Sequence, residues 1–116
     1  MEYIYGELGN NLELKKFLFD MDGPFCVYCY TEFETHADLT LDHIIPKTLG
    51  GSNEDFNLVL ACANCNRNKG GKNEIKLINF LLQVRRNREL AHVTHETIPS
   101  RVLAKLPKYL KDAYEI

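Results

Sequence analysis

Cys62-Ala63-Asn64-Cys65-Asn66-Arg67-Asn68-Lys69-Gly70, taken together with Cys26-Val27-Tyr28-Cys29, is the part of the sequence that decides the fold. In a Cys-x-x-Cys knuckle two thiolates can reach one tetrahedral ion, and two such knuckles complete an all-thiolate site. One zinc ion is therefore expected on Cys26, Cys29, Cys62 and Cys65. With all four positions filled by sulfur, that zinc is structural and leaves no place for a reacting water. Two disulfides would be the alternative in a secreted chain, but paired spacing in a reducing compartment favours metal thiolates. Thirty-two residues separate the knuckles, more than in a compact zinc ribbon, so a structural unit must lie between them.

That unit can be followed outward from the second knuckle. Asn57 to Ala61 has the pattern of a short strand running into Cys62, and Leu39 to His43, where Leu39 and Leu41 alternate with Thr40 and Asp42, fits an earlier one. Pro46 breaks the first strand, and Gly50-Gly51-Ser52-Asn53 is a turn cluster. Asn66 to Lys69 starts a helix that Gly70-Gly71 stops. The order is strand, long loop, strand, helix.

Helices flank this core. Asn10 is placed to cap the first, with Glu13 able to reach back to it and Leu14, Phe17, Leu18 and Met21 on one face before Gly23-Pro24. A longer helix is expected from Glu74 to Leu90, capped by Asn73 and buried through Ile75, Ile78, Leu81 and Leu82. Pro99 opens a short helix running to about Leu106. Beyond Pro107, Lys108 to Tyr114 forms a last piece with Tyr109, Leu110 and Ala113 inward. Tyr28 and Tyr30 are expected to pack around the first knuckle, and His36, His92 and His95 to sit on the surface.

The fold class is α+β, a small strand-loop-strand-helix motif with zinc knuckles and helices at both ends. The 116 residues are expected to form a single domain, 1–116, with its motif core at 26–70 and helical flanks at 10–22 and 74–115. A hydrophobic content of 45% with 26% charged residues describes a globular chain. No apolar run approaches the roughly 20 residues that cross a bilayer, and Met1 to Asn10 lacks the pattern of a secretory leader. A cytoplasmic, intracellular location without membrane contact is expected.

The net charge of −2 hides an asymmetry. Met1 to Asp42 holds nine acidic residues against two lysines, whereas His43 to Ile116 holds twelve basic residues against seven acids. Phosphate recognition rests on cations that displace condensed counterions, so a nucleic-acid contact is expected in the second part. Arg67, Lys69 and Lys72 lie closest to the knuckle, in a basic stretch that continues to Arg88.

Asp42-His43-Ile44-Ile45-Pro46, Gly50-Gly51, Asn57-Leu58 and Cys62-x-x-Cys65-Asn66-x-x-Lys69-Gly70 form an ordered set. This set resembles the HNH endonucleases that carry a four-cysteine zinc site, over residues 26 to 70. The resemblance implies a ββα-metal fold and metal-dependent hydrolysis of DNA phosphodiester bonds. Asp42 and Asn66 would bind a catalytic Mg²⁺ or Mn²⁺, both being oxygen ligands suited to hard cations. His43 would be the general base that activates water, the task imidazoles most often perform. Asn57 would fix the loop carrying His43.

The resemblance further implies a one-metal mechanism leaving a 5′-phosphate and a 3′-hydroxyl. The chain departs from the family's name at two letters, with Asp42 and Asn66 in place of histidines, which favours Mg²⁺ or Mn²⁺ over zinc or nickel at that centre. The other function class the residues leave open is a non-catalytic zinc-stabilised module that binds nucleic acid or protein on an HNH-like scaffold. RNA is the alternative substrate. The modest net charge is compatible with a homodimer or an accessory protein that adds affinity.

Overall fold

The computed structural model describes residues 11–70, 73–93 and 95–115. Helix α1 spans Asn11–Asp22, and its expected cap, Asn10, lies outside the described residues. Leu14 and Leu18 are fully buried, one turn apart on the face that meets the strands. Met21 does not continue that face and is 46% exposed. The helix ends at Gly23, whose φ of 96° closes the last turn with a hydrogen bond from its N–H to the Phe19 carbonyl.

Strands β1, Leu39–His43, and β2, Leu58–Cys62, pair antiparallel. The register sets Leu39 opposite Cys62, Leu41 opposite Leu60 and His43 opposite Leu58. Burial along β1 departs from simple alternation, because Leu39 and Asp42 are the buried positions. Asp42 is buried because polar partners reach it there, as described below. β2 is buried from Leu58 to Ala61, which fits a strand covered on both faces.

Helix α2, Ala63–Lys69, begins three residues before the position expected from Asn66. Its N-cap is Cys62, whose sulfur accepts a hydrogen bond from the Cys65 N–H at 3.4 Å. The knuckle is therefore the first turn of the helix, and Asn66 is an interior residue of it. Helix α3, Glu74–Leu90, has its expected cap, since the Asn73 side chain accepts from the Lys76 N–H.

The buried face of α3 differs from the expected one. Leu77, Leu81, Val84 and Arg88 face inward, while Ile75 and Leu82 are 71% and 42% exposed. The inward stripe advances by four, three and four residues, a complete helical seam that includes a cation. Arg88 sits in it because its guanidinium lies over the Tyr114 ring and donates to the Tyr114 carbonyl.

Helices α4, Ser100–Leu103, and α5, Lys108–Tyr114, complete the order, α4 being shorter than the expected run to Leu106. In α5, Leu110 and Ala113 are buried as expected, but Tyr109 is 41% exposed and Tyr114 takes the inward place. The Tyr114 hydroxyl accepts from the N–H groups of Thr97 and Ile98, which fastens the preceding loop to the last helix. Arg101 joins three elements by pairing with Asp22 and donating to the carbonyls of Asp55 and Leu58. No helix among the described residues is long and apolar enough to cross a membrane.

The four cysteines converge. Their sulfurs lie within 4.8 Å of one another, with Cys29 Sγ and Cys62 Sγ 3.9 Å apart. A tetrahedron with Zn–S bonds of about 2.3 Å has sulfur–sulfur edges of about 3.8 Å, so the cluster fits a single zinc ion. Burial pushes the Cys26 thiol up to about 11, and burial together with its charged neighbours pushes Cys65 further in the same direction. Four thiolates this close repel one another, and a divalent cation relieves that repulsion.

The knuckle loop is also tied directly to the sheet, since the Val27 N–H donates to the Leu60 carbonyl. Elemental analysis is expected to find one zinc per chain, and Cys62→Ser to lose both the metal and the cooperative unfolding transition. A metal-free chain with an unchanged unfolding curve would contradict a structural role for the cluster.

Candidate catalytic groove

The connection from Ile44 to Asn57 leaves β1 and returns to β2, and Asn57 determines its path. The Asn57 side chain accepts from the Ile45 N–H at 3.0 Å and donates to the carbonyls of Ile45 and Ser52 at 3.0 and 2.8 Å. Its own carbonyl accepts from the Ile44 N–H. One buried amide thus satisfies both ends of the loop, which a buried polar group requires. Gly51 packs so close that an added Cβ would stand 1.7 Å from the Ile45 carbonyl oxygen, so no other residue fits there.

His43 ends β1 at the mouth of this loop. Its Nε2 lies 2.8 Å from Asn53 Oδ1, within the turn cluster that Asn57 holds. Asn53 had no role assigned from sequence. The only signal was its place in a Gly-Gly-Ser-Asn turn, which describes backbone shape and says nothing of a side chain folding back onto an imidazole.

Asp42 precedes His43 on β1 and is buried. Its Oδ2 accepts from the Tyr28 hydroxyl and from Lys69 Nζ, the latter at 2.8 Å. Lys69 also donates to the His43 carbonyl. Both donors bind the same carboxylate oxygen, so the other, Oδ1, is the one left to meet a further cation.

Burial pushes the Tyr28 phenol well above its ordinary value, and the Asp42 charge adds to this, so Tyr28 stays a donor. Burial lowers the Lys69 ammonium while Asp42 pulls it back up. Lys69 is 4% exposed, and its ammonium, expected from sequence at a phosphate, is instead engaged inside the protein with Asp42 and His43. Arg67 is exposed on α2, and Lys72 lies outside the described residues.

Asn66 stands across from Asp42 on α2. Its Nδ2 donates to Thr40 Oγ1 at 2.9 Å, and that hydroxyl gives its one proton to the Ala61 carbonyl at 2.8 Å. Thr40 can only accept from Asn66, which fixes the amide with its nitrogen toward the strand. The amide oxygen is then the atom offered away from it.

Asp42, His43 and Asn66 line one open groove of about 280 Å³, together with Lys47, Lys69 and Gly70. Its donor set is one carboxylate oxygen and one amide oxygen beside an imidazole. Those oxygens suit Mg²⁺ or Mn²⁺ and leave most of an octahedral shell to water and phosphate. The rest of the sequence-derived set divides clearly. Cys26, Cys29, Cys62 and Cys65 form the separate sulfur cluster, and Asn57 lies behind the groove in the loop.

Tyr28 also went unassigned to this site. It stands between Cys26 and Cys29, and nothing in that spacing signals that its hydroxyl reaches Asp42 on β1. Among the histidines set aside as surface residues, His92 and His95 are exposed, while His36 is half-buried edge-on against Phe19.

No curated protein matches the chain. Residues 26–72 match the family model described as HNH endonuclease, an interval that begins at the first knuckle cysteine and takes in both strands and α2. By this match and the cysteine cluster that it encloses, residues 26–72 are similar to an HNH endonuclease domain.

Proposed function

We propose that the protein is a metal-dependent DNA endonuclease, with His43 as general base and Asp42 and Asn66 as the ligands of a catalytic Mg²⁺ or Mn²⁺. The observation that carries this reading is the convergence of these three side chains on one groove, with Asp42 and Asn66 each held from behind through a single atom. A module that only binds needs no imidazole between two oxygen donors. It also has no need to bury a lysine against the carboxylate.

A bound Mg²⁺ or Mn²⁺ would neutralise the scissile phosphate and the departing 3′ oxygen. Around it, the chain's own residues have separable tasks. Asn53, oriented with its amide oxygen toward Nε2, keeps the neutral imidazole protonated on that nitrogen, so His43 takes up the proton of water on Nδ1. The water oxygen bonds to phosphorus, the bond from phosphorus to the 3′ oxygen breaks, and a 5′-phosphate and a 3′-hydroxyl result. Asn57 holds the loop so that His43 stays at the groove. Tyr28 and Lys69 fix the rotation of the Asp42 carboxylate.

Similarity to that family favours DNA as the substrate. The whole chain is proposed to act as one domain, in which the helices outside residues 26–72 contribute target recognition. Arg67 on the exposed side of α2 and Lys72 are proposed to approach the phosphate backbone.

Plasmid cleavage in Mg²⁺ or Mn²⁺, abolished by EDTA, is expected to fall by at least about 100-fold in His43→Ala. Equal cutting by both proteins would contradict the assignment. Tyr28→Phe removes one donor from Asp42 without touching the groove, and is expected to weaken Mn²⁺ binding by about 10-fold while zinc content is unchanged. Electron paramagnetic resonance of free Mn²⁺ reads this loss without reference to turnover. Unaltered Mn²⁺ affinity in that variant would show that Tyr28 has no positioning role.

A further inference from the structure

A second groove, of about 530 Å³, runs between α2 and α3 and meets the catalytic groove at Lys69 and Gly70, which line both. Along its α3 wall Asn79, Gln83 and Asn87 stand one turn apart in a single line, with Lys76 a turn before them. Asn68 of α2 lines it as well. No carboxylate is among its lining residues. The two acids of α3 are elsewhere, Glu89 being paired with Arg85.

An exposed helix face carrying three amides in register is unusual for a merely solvated surface, where charges of both signs normally intersperse. Leu77 and Leu81 of the same helix belong to the core, while Val84 and Phe80, with Tyr28, give the groove an apolar part beside the amides. Gln83 donates to Asn87 at 2.9 Å, which pre-orders the two side chains as one hydrogen-bonding surface. The rise from Asn79 to Asn87 is about 12 Å, and stacked nucleotides advance about 3.4 Å each along a strand. The line therefore spans roughly three base steps.

We propose that this groove holds the DNA strand that continues from the scissile phosphate, gripped by the amides of Asn79, Gln83 and Asn87 and by Lys76. The inference rests on the nuclease reading for its ligand, and on the continuity of the two grooves for its direction. Lys76 supports it as the exposed cation of the lining, Lys69 being engaged with Asp42. Amides hydrogen-bond to phosphate oxygens and to base edges, and displace no counterions in doing so. Lys76 supplies the counterion-releasing contact. Two kinds of contribution to affinity should thus respond differently to salt.

The test uses the full chain carrying His43→Ala, titrated by fluorescence anisotropy against a short fluorescein-labelled DNA duplex over a range of salt. Adding Asn79→Ala with Gln83→Ala is expected to weaken binding by about 10-fold at each salt concentration and to leave the salt slope unchanged. Adding Lys76→Ala instead is expected to weaken binding and lower the slope by about 1. Gln83→Lys, which adds a cation to the groove, is expected to tighten binding and raise the slope.

All these positions are exposed, and matching thermal unfolding of the variants separates a contact loss from a folding defect. Unchanged affinity in both the double amide variant and Gln83→Lys would overturn the groove while leaving the nuclease reading intact. Failure of the parent protein to bind the duplex would overturn it too, and cleavage by the wild-type chain would then decide the nuclease reading separately.

Discussion

One carboxylate oxygen of Asp42 receives a phenol proton and an ammonium proton, and most of the site depends on that arrangement. The two donors arrive from opposite parts of the cysteine cluster. Tyr28 lies within the first knuckle, and Lys69 ends the helix that begins as the second. Fixing the two knuckles to one another therefore also fixes the two donors around Asp42. The sulfur cluster and the candidate groove share no atoms, yet both donors to Asp42 come from segments that the cluster holds together.

The energetics give this coupling a reason. A carboxylate at the end of a buried strand costs several kcal/mol unless it is paired and hydrogen-bonded. Here a still more deeply buried lysine meets it, and a phenol completes the shell of one oxygen. The other oxygen is spared, so the anion is neither stranded nor used up. A fully satisfied carboxylate would be more stable and would have nothing left to offer a cation. The same division appears at Asn66, where Thr40 takes the amide nitrogen and leaves the oxygen. In each case one polar atom is held by the protein and the other is left for the cation of the proposed site, the arrangement of a preorganised centre.

How much of this was legible in the sequence varies with the range of the interaction concerned. The knuckles, β1, the extent of α3 and its Asn73 cap follow from local spacing and capping chemistry, and they stand where the sequence places them. The inward face of α3 was misjudged because hydrophobicity assigned Ile75 and Leu82 to the core. The stripe that closes the fold instead admits Arg88, stabilised by the distant ring of Tyr114. Tyr109 and Tyr114 exchange roles for the same reason, since the hydroxyl of Tyr114 finds two backbone donors that no local pattern reveals. Asp42, His43 and Asn66 could be singled out as candidates because chemistry limits which residue types hold a hard cation beside a base, and the fold brings them to one groove. Tyr28, Asn53 and the inward turn of Lys69 could not be, because each acts through a contact between segments remote in sequence or folded back by a turn.

We propose two different metal centres side by side, one closed by sulfur and one open between Asp42 and Asn66. Anomalous diffraction from crystals of the zinc-loaded protein soaked in Mn²⁺, recorded at the zinc and manganese edges, tests this arrangement most directly. The account predicts a zinc signal among the four cysteine sulfurs and a distinct manganese signal touching the Asp42 carboxylate and the Asn66 amide oxygen. A manganese signal elsewhere, or none beside an intact zinc signal, would contradict it.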